Sequence, residues 1–180
     1  MRRDIIEATS AQCEVLRALF ELYIHDFSPM TGADVDERGR YTDDDFLAGW
    51  WDDYKDVFHP FLLAIDSKWA GFALVEVGSY VMSDEDQHWL IEEFFVVRKY
   101  RGQGHGEWFA RALFDRFPGT WEIGQIDANT GAQLFWRKVI GRYADTFDEI
   151  RVQNDRWQGP VQRFEAHPPR RARRRAKHKR

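Results

Sequence analysis

Apolar residues recur at Cys13, Leu16, Phe20, Tyr23 and Phe27, three or four apart, the spacing of one helix face. Thr9 and Gln12 supply a capping-box pattern ahead of it, and Ser28-Pro29 predicts its end. Residues 4–8, DIIEA, predict a short strand before this helix. Residues 29–41 are rich in turn formers, and TDDDFLAGWWDD from Thr42 opens with a cap residue and acids, as a second helix would. HPFLLAID and WAGFALVEVGS then predict two strands joined by a tight turn at Asp66-Ser67-Lys68. SDEDQ, residues 83–87, is a polar turn, and HWLIEEFFVV is a strand buried on both faces for most of its length. After the hexapeptide RGQGHG, Phe109, Ala112, Leu113 and Phe117 mark a helix face that stops before Pro118-Gly119. TWEIGQI predicts a strand, and NTGAQLFWRKVIG a helix with Asn129 at or near its cap and Gly141 beyond its end. TFDEIRVQ and WQGPVQRFEA close the chain as two strands, the second at an edge or bulged around Pro160. The order is β-α-α-β-β-β-α-β-α-β-β, a single mixed α/β (α+β) domain over residues 1–166.

Composition narrows the class without naming a function. The 180 residues are 43% hydrophobic and 16% aromatic, which is globular composition. No apolar run is long enough to span a membrane, and the N-terminus lacks the apolar centre of a secretory signal. The single cysteine, Cys13, leaves no internal disulfide to form and points to the cytoplasm. Its place in the helical pattern predicts a small core residue.

The formal net charge of -4 hides an asymmetry. Eight of the 26 Lys and Arg residues lie in RRARRRAKHKR, residues 170–180, which leaves 18 basic against 30 acidic side chains before it. Residues 167–180, opened by His167-Pro168-Pro169, therefore form a basic tail expected to be disordered. Such a tail could grip nucleic acid, or could fold back on the acidic body. No aromatics interleave with its arginines, and phosphate attraction alone carries no sequence information.

The glycines of RGQGHG carry the sharpest signal. A strand, a turn permitting positive φ and an immediate helix aim free N–H groups and a positive helix end at one spot. That is an anion site suited to phosphate. The spacing Gly102-x-Gly104-x-Gly106 matches neither the dinucleotide fingerprint G-x-G-x-x-G nor the mononucleotide loop G-x-x-x-x-G-K-S/T. It does resemble motif A of the GNAT superfamily of N-acetyltransferases, R/Q-x-x-G-x-G/A, with Arg101, Gly104 and Gly106 at the defining positions. Asn129, Ala132 and Phe135 match the N-x-x-A-x-x-F/L pattern of the helix after that family's fifth strand. EFFVVRKYRGQGHG further resembles a bacterial group of predicted acetyltransferases.

The resemblance implies a cosubstrate, acetyl-CoA. Backbone N–H groups of Arg101, Gly102, Gln103, Gly104, His105 and Gly106 would bind its pyrophosphate, and side chains at Gly104 or Gly106 would push the phosphates away. Phe94, Phe95 and Val96 would pair with the pantetheine arm like an added strand. Arg98, Lys99 and Arg101 would meet phosphates, and Asn129 and Trp136 would contact the cofactor. Where many relatives carry a tyrosine as general acid, this chain has Trp136, whose indole N–H cannot serve. Tyr143 lies a turn or more beyond.

An amine must lose a proton before it attacks a thioester, so a carboxylate base is expected. Glu93 or Glu92 is the candidate; neighbours on a strand face opposite ways, which leaves one of them for the cleft. Asp-rich segments between residues 33 and 56, with Trp50, Trp51 and Tyr54, would attract a cationic amine, or else serve as caps, core or a homodimer contact. His25, His59, His88 and His105 lack metal-ligand spacing, and no metal is expected. Three readings follow: an N-acetyltransferase for a small or protein amine, an acyl-CoA-binding sensor or partner-binding module without turnover, and a nucleic-acid-associated protein led by its tail.

Overall fold

The computed structural model describes residues 1–43, 47, 50, 56–81 and 88–167. The helix predicted from Thr42 to Asp53, the turn at residues 83–87, Trp51, Tyr54 and the basic tail lie wholly or mostly outside these residues.

Among the described residues, seven strands form one sheet: β1 (Arg3–Glu7), β2 (Phe58–Ile65), β3 (Lys68–Gly78), β4 (His88–Val96), β5 (Gly119–Gly124), β6 (Asp148–Gln153) and β7 (Gln158–Ala166). Their order is β1-β2-β3-β4-β5-β7-β6. Every pairing is antiparallel except that of β4 with β5. Helix α1 (Cys13–Thr31) covers one face, packing Leu16 and Phe20 on Leu62, Phe72, Leu74 and Phe95. Helices α2 (His105–Arg116) and α3 (Thr130–Tyr143) cover the other, where Phe109, Leu113, Phe114 and Trp136 meet Phe61, Trp121 and Phe164. Trp121, Phe109 and Phe114 have no solvent exposure, and each such aromatic stabilises the fold by about 1.5–3 kcal/mol through burial.

The β2–β3 turn follows the sequence reading, with positive φ at Asp66 (46°) and Ser67 (61°), the angles a two-residue hairpin requires. Four other expectations are corrected. Helix α1 runs through Pro29 to Thr31 and ends at Gly32, whose φ of 73° is left-handed. Proline removes the N–H that would bond the His25 carbonyl, but the Ser28 hydroxyl donates to that carbonyl at 2.9 Å instead. Helix α3 continues past Gly141, because Tyr143 packs its ring on Phe114 and Phe164. That contact outweighs the roughly 1 kcal/mol that glycine costs inside a helix. The α2 face is Phe109, Ala110, Leu113 and Phe114, with Phe117 serving as the C-cap. Strand β7 is interior, between β5 and β6. Pro160 sits just past the last β5 pair, Gly124 with Val161, and its carbonyl accepts from the Gln125 N–H at 3.0 Å.

One topological feature makes the site. Among the described residues, β4 and β5 pair only at Trp89 with Trp121 and Leu90 with Glu122. Beyond Leu90 the strands diverge, and β4 keeps an open edge.

Candidate active site

Val97 donates its N–H to the Ala70 carbonyl on β3 at 2.8 Å. Backbone direction alternates along a strand, so Phe95 also turns to β3, while Phe94 and Val96 turn to the open edge. Phe95 therefore contributes its ring, not its backbone, to this region. A groove of about 570 Å³ lies along the edge, between Tyr23, Phe27 and Met30 of α1 and Ala132, Phe135 and Trp136 of α3. Phe94, Phe95, Val96, Arg101, Gly102, Gly104, Gly106 and Asn129 also line it.

The groove ends at the glycine turn. Gly102 has φ 73° and Gly104, the N-cap of α2, has φ 78°. A Cβ at either would meet nothing within 4 Å, so these two glycines are required by backbone conformation, with open space before them. Gly106 differs, since a Cβ there would meet the Phe135 ring at 3.3 Å. Its smallness lets α3 approach α2, which corrects the expectation that it spares room for phosphate alone. The first N–H groups of α2 have no partner within the helix and carry its positive dipole end.

The side chains of the loop are arranged differently from expectation. Arg101 donates Nε–H to the Val96 carbonyl at 2.6 Å and places a second nitrogen 2.5 Å from Asp26 of α1. Arg98 donates to the other oxygen of Asp26 at 2.7 Å. Partial burial would raise the Asp26 pKa, yet these two guanidiniums hold it below the usual carboxylate range. Both arginines expected at the phosphates are thus already ion-paired. Gln103 turns its amide back to the Lys99 carbonyl at 2.8 Å. His105 buries its ring beside Tyr100, with neither nitrogen hydrogen-bonded among the described residues, and burial lowers its pKa. Neither Gln103 nor His105 lines the groove, which the turn meets through Arg101, Gly102, Gly104 and Gly106. Lys138, one turn past Leu134 on α3, lines the groove and was not singled out by sequence.

Asn129 caps α3 by accepting from the Ala132 N–H at 3.0 Å and also lines the groove. Trp136 is buried and packs edge-on against Phe94 and Phe135, with ring centroids 5.0 and 4.9 Å away. Tyr143 donates to Asp115 at 2.9 Å and does not line the groove.

A second cavity, of about 330 Å³, is lined by Phe20, Trp50, Phe58, Leu74, Glu76, Glu92 and Glu93. Strict alternation predicts that Glu92 and Glu93 face opposite ways, and the structure corrects this. Leu74 pairs with Glu93 and Val75 with Ile91, so Glu92 is the extra residue of a β-bulge. The bulge breaks the alternation and gives both carboxylates one cavity. Tyr80 donates its hydroxyl to Glu92 at 2.5 Å, and the Tyr23 hydroxyl lies near Glu93. Burial pushes Glu93 up to about 8; the nearby Tyr23 hydroxyl opposes this and the Glu92 charge adds to it. Burial, then Glu92, pushes Glu76 up to about 7 against the attraction of Arg156. Burial and the neighbouring glutamates raise both phenols, so both keep their protons at neutral pH.

Tyr80 is held by a buried anchor. Its N–H donates to Glu122 at 2.7 Å, and Arg163, His88 and Ser79 converge on the same carboxylate. Burial alone would raise the Glu122 pKa, but these hydrogen bonds keep it below the usual range. Sequence reading missed Tyr23, Tyr80 and Glu76. Tyr23 was visible as part of the α1 apolar face, and nothing local marked any of the three as partners of the glutamates.

The chain matches the family model described as Acetyltransferase (GNAT) family over residues 16–141. No curated protein matches it in sequence. Among solved structures, an acetyltransferase of the GNAT family from Staphylococcus aureus Mu50 is 15% identical with TM-score 0.62, covering 92% of this chain and 100% of its own. The ribosomal-protein-S18-alanine N-acetyltransferase from Escherichia coli is 13% identical with TM-score 0.58, covering 92% and 94%. A GNAT family acetyltransferase from Elizabethkingia anophelis with acetyl-CoA bound is 12% identical with TM-score 0.54, covering 91% and 97%. At these identities the structures speak for the fold, while the family model spans well over half of the sequence. With its diverging β4 and β5 and the glycine turn between β4 and α2, the chain belongs to the GNAT acetyltransferase family.

Proposed function

We propose that the protein is an acetyl-CoA-dependent N-acetyltransferase acting on a primary amine, either a small cationic amine or a protein amine, by direct transfer. The observation that carries this reading is the meeting of two cavities along β4: Phe94 and Val96 line the groove on its open edge, and Glu93, the residue before them, lines the acidic cavity. The groove volume of about 570 Å³ lies in the range of small-molecule sites. The open space before Gly102 and Gly104 suits a phosphate against the α2 N-terminus. Phe94 and Val96 would pair their backbones with the pantetheine arm, and Asn129 and Trp136 would flank it.

Acetyl-CoA supplies an acyl group already activated as a thioester. The chain then has to bind an ammonium and remove its proton, which for an amine of pKa near 10.4 costs roughly 4–5 kcal/mol at neutral pH. Glu92, joined by Glu76 and Glu93 as they ionise with rising pH, draws the cation into a cavity walled by Phe20, Trp50 and Phe58. Glu93 accepts the proton on a carboxylate oxygen, directly or through water. Its pKa, pushed up to about 8, is better matched to an amine than that of an ordinary carboxylate. A cytoplasmic location accords with this cosubstrate.

A second reading, an acyl-CoA-binding module without turnover, is favoured by Trp136, which is buried where many relatives carry a tyrosine acid. Thermal unfolding with acetyl-CoA and a thiol-release screen over amines test both. Acetyl-CoA at 100 times its dissociation constant adds about 2.7 kcal/mol of stability. A shift with thiol release supports the enzyme; a shift with no release from any amine supports the module; no shift overturns both.

A further inference from the structure

Glu92 sits at the bulge of β4, where its backbone leaves the regular ladder, and it is exposed at the wall of the acidic cavity. A long carboxylate in such a place samples several rotamers unless something holds it. The Tyr80 hydroxyl holds it, donating to Oε2 at 2.5 Å and leaving Oε1 for a donor in the cavity. Tyr80 can do this because it is itself pinned. Its N–H donates to Glu122 of β5 at 2.7 Å, and its carbonyl accepts from the Asn154 amide at 2.9 Å. Its ring lies 4.8 Å from that of Trp157 and packs with Leu90, Val152 and Val161. Trp157 reaches it across Gly124, where a Cβ would come within 2.7 Å of the indole. Only 4% of Tyr80 is exposed.

We propose that Tyr80 is a positioning residue for the acceptor: its hydroxyl fixes the Glu92 carboxylate as the seat of the acceptor's ammonium, and Glu93 is left to take the proton. This rests on the acetyl-transfer reading above and divides the work of the two glutamates within it. Glu92 and Glu93 border one cavity, so an ammonium there can direct one N–H to each. Seated on a fixed Glu92, it keeps another N–H aimed at Glu93. Tyr80 itself lines neither cavity. Burial and then the Glu92 charge raise its phenol well above the ordinary value, so it stays a donor to Glu92 throughout. No bond of the transfer forms or breaks at Tyr80. A mobile Glu92 would have to be ordered by each acceptor that binds, a cost that falls on binding rather than on the chemical step.

The test uses the full chain with two probe acceptors, putrescine for a small amine and N-acetyl-lysine methylamide for a protein amine. Tyr80→Phe keeps the ring and its packing and removes the hydroxyl. KM for the acceptor should rise roughly 10-fold, the loss of one hydrogen bond to a charged group, with kcat and the acetyl-CoA dissociation constant little changed. In a Glu92→Ala background the same substitution should raise KM no further, a coupling that the double-mutant cycle reads. A tyrosine with a merely structural role would lower the thermal midpoint and act equally in both backgrounds, and that result overturns the assignment. So does an unmoved KM in a protein that turns over, which leaves acetyl transfer standing without this role for Tyr80. A fall in kcat at constant KM also overturns it, since Tyr80 would then act in the chemical step. A wild type that binds acetyl-CoA and acetylates neither probe overturns the acetyl-transfer reading itself, and the positioning role with it.

Discussion

Arg101 reaches back across its own turn to the carbonyl of Val96, Nε to oxygen 2.6 Å, and so ties the glycine cradle to the strand that carries the open edge. The same guanidinium bonds Asp26 of α1, 75 residues earlier. One side chain therefore sets the relative positions of strand, loop and the helix that bears Tyr23. Arg101→Lys keeps the charge but cannot make both contacts from a planar fork. It is expected to weaken acetyl-CoA binding roughly 10-fold, about the loss of one charge-assisted hydrogen bond, as calorimetry would measure.

Gly104 is held at φ 78° with open space where a Cβ would project. Gly104→Ala should destabilise by about 1–2 kcal/mol, the cost of a left-handed residue, with a lower urea midpoint. Gly104→Glu adds a negative charge to the cradle, and the folded variant should show no thermal shift with acetyl-CoA.

Glu93 must be ionised to accept a proton, and its pKa is pushed up to about 8. The transfer rate should therefore rise with pH and level off above about 8. Glu93→Gln should lower kcat by about 10²- to 10⁴-fold with acetyl-CoA binding kept, and Glu92→Gln by less. Stability carries the opposite sign. The folded pKa lies above the unfolded value of about 4.3, so the folded state binds more protons between them. The stabilising contribution of protonated Glu93 is complete below about 4.3 and is lost as pH rises through about 8. Urea midpoints across that window should fall less steeply in Glu93→Gln than in the wild type.

Glu122 is fully buried and holds Arg163, His88, Ser79 and the Tyr80 N–H on one carboxylate. Its folded pKa is depressed, so its contribution is present above the unfolded value and lost as pH falls through the folded one. Glu122→Gln should destabilise by about 3–5 kcal/mol at neutral pH, since it leaves the Arg163 charge without its partner. Denaturant unfolding near neutrality and below pH 4 should show the gap between the two proteins closing on acidification.

The Ser28 hydroxyl takes the His25 carbonyl that Pro29 leaves without an amide donor. Ser28→Ala should cost about 0.5–1.5 kcal/mol, measured by thermal unfolding, with the last turn of α1 losing hydrogen-exchange protection.

Features set within a few residues were legible in the sequence alone. The strand–glycine–helix segment around RGQGHG, the turn at Asp66-Ser67 and the cap at Asn129 follow from local backbone angles and short-range hydrogen bonds. The mixed α/β fold follows from apolar periodicity. Features that depend on which distant strand or helix lies alongside were not legible. Glu92 and Glu93 share a cavity because the ladder with β3 slips by one residue at Glu92, and a register belongs to a pair of strands rather than to one. Tyr23 reads as an apolar-face residue until α1 is laid over Phe95, which brings its hydroxyl to Glu93. Arg98 and Arg101 read as free phosphate ligands until Asp26, on another helix, is found between them. Local sequence specified the cradle and its elements; the tertiary structure chose the side chains around it, because pair contacts across elements are fixed only once the sheet has its register and the helices their places.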